Sequence, residues 1–138
     1  MSNNAKNLNQ EPPRSPRIRL GGYLLAARMI DKGRAHLNGT LGEYHFNCTL
    51  DNILFKFKGI TGEEVEMFLT SGASDEQIVE WMHLNGTPRT DEEVTSWSDL
   101  VLAEKSAFFD FLESDDRALS KRVKTSSLHA PSRTKSGR

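Results

Sequence analysis

Three times between residues 61 and 93 the chain repeats one piece of local grammar. A hydroxyl side chain is followed three positions later by Glu or Gln: Thr61 and Glu64, Ser74 and Gln77, Thr90 and Glu93. In this spacing the hydroxyl accepts from a free amide of the first helical turn, while the longer side chain reaches back to the capping residue. Each motif therefore predicts a helix start, and the acids beside it complement the helix dipole. Ser71-Gly72 and Asn85-Gly86 supply matching stops.

The apolar pattern extends this frame. Ile78, Trp81 and Met82 fall on one side of the second capped helix. Val94, Trp97, Leu100 and Val101 form the face of the third, which is expected to run on through Phe108, Phe109, Phe111 and Leu112. The three phenylalanines cannot share one stripe, so one is expected at the surface as a candidate dimer contact. Upstream, Asp51 is expected to cap a helix over Asn52–Lys58 that stops at Gly59. Gly21-Gly22 is expected to open a helix from about Tyr23 to Leu37, ending at Asn38-Gly39. Its face is Tyr23, Ala26, Ile30, Gly33 and Leu37, with close packing at Gly33. Thr40–Cys48 is irregular, a loop or short strand pinned by Leu41, Tyr44 and Phe46.

These elements predict a mainly α fold: one compact bundle of about five helices over residues 14–116 of 138. Residues 1–13, Asn-rich and ending in Pro12-Pro13, are expected to form a disordered arm. Residues 117–138 are expected to form a flexible basic tail.

Charge is segregated behind a net value of −1. Residues 1–60 carry nine Lys/Arg against four Asp/Glu, residues 61–116 two against fifteen, and residues 117–138 seven against none. The surface is thus expected to be dipolar, with the tail free to meet the acidic half or a partner. The single cysteine, Cys48, excludes an internal disulfide. The opening MSNNAKNLNQ lacks an apolar signal core, and no run is apolar enough to span a membrane. A cytoplasmic protein with no membrane association is the expectation.

Chemistry concentrates before residue 52. Arg14, Arg17, Arg19, Arg28, Lys32 and Arg34 cluster around Gly21-Gly22. Arginine forks suit phosphate and carboxylate, and free amides at a helix start favour an anion. The candidate ligand-binding set is Arg14, Arg17, Arg28, Asp31, Lys32, Glu43 and Tyr44, facing an anionic small molecule. The plain alternative is a set of surface charges paired with the acidic second half. Gly42–Cys48 gathers a carboxylate, a phenol, an imidazole and a thiol. A small enzyme could use Glu43, Tyr44, His45 or Cys48, although neighbours on a strand point to opposite faces.

His45 and Cys48 form an isolated pair without further ligands at zinc spacing, so no metal and no cofactor is expected. The strongly acidic 61–116 segment argues against specific nucleic-acid reading, since phosphate would repel it. The tail lacks the aromatic residues that stack on bases. An aromatic face on the last helix remains a candidate surface for a homo-oligomer or protein partner.

Several linked runs resemble one known family. They are Pro13-Arg14-Ser15-Pro16-Arg17, Leu20-Gly21-Gly22-Tyr23, Arg28-Met29-Ile30-Asp31-Lys32, Gly39-Thr40-Leu41-Gly42-Glu43-Tyr44, Asn47-Cys48 and Leu50-Asp51, with Glu80-Trp81, Asn85-Gly86 and Pro88-Arg89 further on. As a set they resemble domain of unknown function 5069, over roughly Pro12 to Leu102. The resemblance implies a compact bacterial domain with no assigned activity, so it carries over no catalytic residue.

Overall fold

The computed structural model describes residues 5–129, with side chains as far as Thr125. It is mainly helical. In chain order the elements are β1 (Arg19–Leu20), β2 (Tyr23–Leu24), α1 (Ala26–Asn38), α2 (Thr49–Lys58), α3 (Gly62–Leu69), α4 (Asp75–Leu84), α5 (Asp91–Glu104) and α6 (Ser106–His129).

The three capping motifs form as the sequence predicts. Thr61, Ser74 and Thr90 each accept from the backbone three residues on, and Glu64, Gln77 and Glu93 each return to the cap. Gly59 and Gly39 close α2 and α1 in the left-handed conformation. Asp51 acts differently from expectation. Cys48 occupies the N-cap, and Asp51, three residues later, accepts from the Asn47 backbone N–H.

Gly21-Gly22 does not open a helix. Both glycines have positive φ, 57° and 86°, and join two antiparallel strands with Leu20 opposite Tyr23. Two positive φ values in a two-residue loop are what a tight hairpin needs to match strand twist. The hairpin lies on α5, where Ser98 Oγ accepts from Leu24 N and donates to Gly22 O. Helix α1 therefore starts three residues later than expected, after Leu25, itself at φ 75°.

Helix α1 is the centre of the molecule. Residues 26–35 are all buried, so no face of this stretch meets solvent. Gly33 is closely packed: a β-carbon there would lie 2.5 Å from Leu69 Cδ1. The core spans the hairpin and all six helices, with Tyr23, Met29, Phe55, Val65, Met82, Val101 and Phe109 among its buried members.

The last expected helix is two. Lys105, at φ −106° and ψ 13°, separates α5 from α6, which raises the count to six. The break turns Phe109 fully inward and leaves Phe108 and Phe111 exposed at 44% and 61%. Leu100, expected on the apolar face, is also exposed, while Ser98 is buried beside Val94 and Val101.

Both chain ends depart from the expected boundaries. Residues 5–13 lie on the body: Leu8 is 1% exposed, its N–H donates to Thr40 O at 2.8 Å, and Thr40 Oγ1 donates to Lys6 O. One buried leucine and these backbone bonds hold a segment whose polar composition implied a free arm. Residues 117–125 continue α6, with Leu119 and Val123 turned partly inward at a four-residue spacing. The expectations for residues 1–4 and 130–138 lie outside the described residues.

Candidate functional site

The site is built around charge inside α1. Arg28, Asp31, Lys32 and Arg34 are all buried, and buried charges require close partners. Arg28 makes a two-pronged pair with Asp116 of α6, at 2.8 and 3.1 Å. Lys32 Nζ meets Asp51 Oδ1 at 3.0 Å, and both side chains are buried. Arg34 pairs with Asp75 at 2.9 Å. Asp31 accepts from the backbone N–H and the guanidinium of Arg14, which also reaches Asp75. Arg17 bridges to Asp110 and Glu113 of α6, and Arg19 to Asp99 of α5.

The arginine cluster is thus neutralised by the acidic half of the same chain. The plain alternative fits Arg17, Arg19, Arg28 and Arg34, whose partners lie in the acidic half, but Lys32 takes Asp51 and Arg14 takes Asp31 of their own half, and Arg28, Lys32 and Arg34 are interior rather than at the surface. Burial alone would raise the Asp75 carboxyl. The Arg14 hydrogen bond and charge, followed by Arg34, bring it below its ordinary 3.8.

Of the seven candidate residues, Glu43 and Tyr44 reach a cavity. It has a volume of about 570 Å³ and lies between the N-terminal segment, the Gly42–Tyr44 loop and α6. Leu8, Leu119 and Val123 give it an apolar wall, and Asn9, Gln10, Glu43, Asp115 and Arg122 give it polar groups. Tyr44 joins the cavity to the buried network. Its hydroxyl donates to Asp116 Oδ1 at 2.8 Å, and the Arg28 guanidinium lies 5.6 Å from its ring centre. Burial, then the Asp116 hydrogen bond, push the Tyr44 phenol well above its ordinary value of 10.

Arg28 does not line the cavity; it packs against the Tyr44 ring and shares Asp116 with the Tyr44 hydroxyl. Arg14, Arg17, Asp31 and Lys32 do not line the cavity either. His45 and Cys48 stay outside it as well: His45 is exposed, and Cys48 Sγ lies 3.4 Å from Lys32 Nζ. The four groups of the enzymatic alternative therefore share no cleft. Among the described residues no set of three or more His, Cys, Asp and Glu side chains is placed to hold a metal ion. No helix among them is long and apolar enough to cross a membrane.

Sequence reasoning missed Asp115, Asp116, Leu119 and Arg122. Asp115 and Asp116 are the last two residues of the stretch expected for the folded domain, and Leu119 and Arg122 lie beyond it. The available signal was the spacing of Asp116, Leu119 and Val123 on one helical face.

The family model for Domain of unknown function (DUF5069) matches residues 10–107. The chain belongs to this family. No curated protein matches the chain at a significant level. The DUF5069 match contains Arg28, Glu43 and Tyr44 but ends before Asp115, Asp116, Leu119 and Arg122. In this chain the DUF5069 match thus supplies Gln10 and the Gly42–Tyr44 loop of the cavity, while Leu8 and Asn9 before it and Asp115, Leu119, Arg122 and Val123 of α6 after it supply the rest.

Proposed function

We propose that this protein is a small-ligand-binding domain whose cavity takes a compact polar molecule carrying an anionic group. Arg122 meets the anion, while Glu43 and Asp115 accept from the ligand's hydroxyl or ammonium donors. The observation that carries this reading is the position of Arg122. It lines the cavity, and among the described residues no carboxylate lies within ion-pair distance of it. The arginines from 14 to 34 already hold internal carboxylates, so an incoming anion would have to displace one. Leu8, Leu119 and Val123 suit the ligand's apolar body, in keeping with pockets that combine apolar walls and a few oriented polar groups.

A thermal-shift screen with phosphorylated and carboxylated small molecules tests the proposal. A binder present at 100 times its Kd adds about 2.7 kcal/mol of stability. Arg122→Ala and Glu43→Gln should abolish the shift and leave the unliganded melting temperature unchanged. No shift from any compound, or a shift that survives Arg122→Ala, overturns it.

A second reading is a partner surface on α6. Phe108 and Phe111 stack with ring centres 6.2 Å apart, and both are exposed. Paired exposed aromatic rings are typical of interface cores. Light scattering of the wild type and of Phe108→Ser/Phe111→Ser tests it. A wild-type monomer at several hundred micromolar that retains no partner removes this reading.

A further inference from the structure

The basic residues from Lys6 to Arg34 and those of α6 differ sharply in partnership. Lys6, Arg14, Arg17, Arg19, Arg28, Lys32 and Arg34 all have carboxylates in ion-pair range. Along α6 the pattern reverses. Arg117, Lys121, Arg122 and Lys124 are exposed, and among the described residues none has such a carboxylate.

Arg122 turns toward the ligand cavity. The other three follow one another at four- and three-residue spacing, which puts them on a single face of α6. They line a shallow groove of about 570 Å³ between α6 and Pro12. The groove's one acid, Asp116, is already held by Arg28 and Tyr44.

We propose that this face of α6 docks the phosphate backbone of duplex nucleic acid without reading its sequence. Charge complementarity selects the occupant. From residue 117 to residue 124 a helix rises about 10.5 Å. Phosphates on one strand recur about every 3.4 Å along the axis, so three cations cover about three phosphates. Single strands are a poorer match, because no aromatic side chain lies between the cations to stack on bases. An anionic membrane is poorer too. Interfacial helices bury large apolar side chains in the bilayer, and here the larger apolar residues of the stretch, Leu119 and Val123, turn partly toward the protein. Arg133, Lys135 and Arg138 follow in the sequence and add cations at the same end of the chain.

Fluorescence anisotropy of the full chain with a labelled 20-base-pair duplex of random sequence, between 50 and 200 mM KCl, is the test. Binding should weaken steeply with salt and not depend on sequence. The variant Arg117→Gln/Lys121→Gln/Lys124→Gln removes three phosphate contacts. It should flatten the log–log salt slope by about 2.7 and weaken binding at 50 mM KCl at least about tenfold. Circular dichroism should show an unchanged fold, since all three side chains are exposed. Three outcomes overturn the proposal: no duplex binding at 50 mM KCl, a variant slope within about one unit of wild type, or tighter binding to phosphatidylserine vesicles than to the duplex.

Discussion

Tyr44 donates its hydroxyl to Asp116 over 2.8 Å, although 72 positions separate them in the chain. The same carboxylate receives both prongs of Arg28. One acidic side chain on α6 thus ties the central helix to the irregular loop, and the candidate cavity opens beside this junction. Removing the hydroxyl should cost little, because Arg28 still satisfies the carboxylate. Removing the carboxylate should cost more, because a buried guanidinium loses its counter-charge. We expect Tyr44→Phe to lower unfolding free energy by about 1 kcal/mol and Asp116→Ala by about 3–5 kcal/mol. Urea denaturation of both single variants and the double variant checks this. A double-variant loss equal to the sum of the singles would show that the two residues are uncoupled.

Lys32 and Asp51 form the most enclosed ion pair, with side chains 4% and 2% exposed. Breaking such a pair leaves one buried charge unmatched, whereas replacing both partners with apolar groups of similar size removes both desolvation costs. Lys32→Met alone should destabilise by about 3–5 kcal/mol, and Lys32→Met/Asp51→Leu should recover most of that loss. Chemical denaturation of the single and double variants is the check. A double variant as unstable as the single one would show that the pair is needed for more than mutual neutralisation.

The helical frame was legible because capping is local. Thr61, Ser74 and Thr90 interact with residues three positions away, so their chemistry is written in consecutive letters. The Gly21-Gly22 hairpin was harder, since the same glycine pair can precede a helix or form a tight turn, and docking on Ser98 decides between them. The site was only partly legible. Glu43 and Tyr44 stood out as a reactive pair, but their setting depends on Asp115, Asp116 and Arg122, about 70 or more residues away. Charge segregation foretold that the arginines would face the acidic half. It could not foretell that Arg28 takes Asp116, Arg34 takes Asp75, or that these pairs are interior. The docked segment around Leu8 was hidden by composition, because one apolar side chain hardly changes an otherwise polar average.

Asp75 carries the expected acid sensitivity. Its carboxyl lies below 3.8 in the folded protein through Arg14 and Arg34. The unfolded chain therefore binds the proton first as pH falls. The stabilisation from this group is present above about pH 4 and is lost as pH drops through the lower folded value. Asp75→Asn should be less stable than wild type at neutral pH, and the difference should narrow toward pH 2. Thermal melts from pH 2 to 7 test this. A constant difference across the range would mean that the carboxylate's charge is not what stabilises.

Lys58 should prove structurally costly to replace, although among the described residues no carboxylate pairs with it. It is fully buried, and its ammonium donates to the carbonyls of His83, Asn85 and Thr87 at 3.2, 2.8 and 2.6 Å. These carbonyls belong to the end of α4 and the turn that follows, where helical hydrogen bonds run out. Burial, then the nearby Arg89, lower the Lys58 pKa, yet its three acceptors favour the charged form. Methionine would fill similar volume but donate nothing, leaving carbonyls without partners at about 1–3 kcal/mol for each one that finds no water. Lys58→Met should therefore lose at least about 2 kcal/mol and speed amide exchange from His83 to Thr87 more than in α1. Hydrogen exchange read by mass spectrometry separates the local effect from a global one. Uniform acceleration across the chain would mean that Lys58 supports the whole core rather than the end of α4.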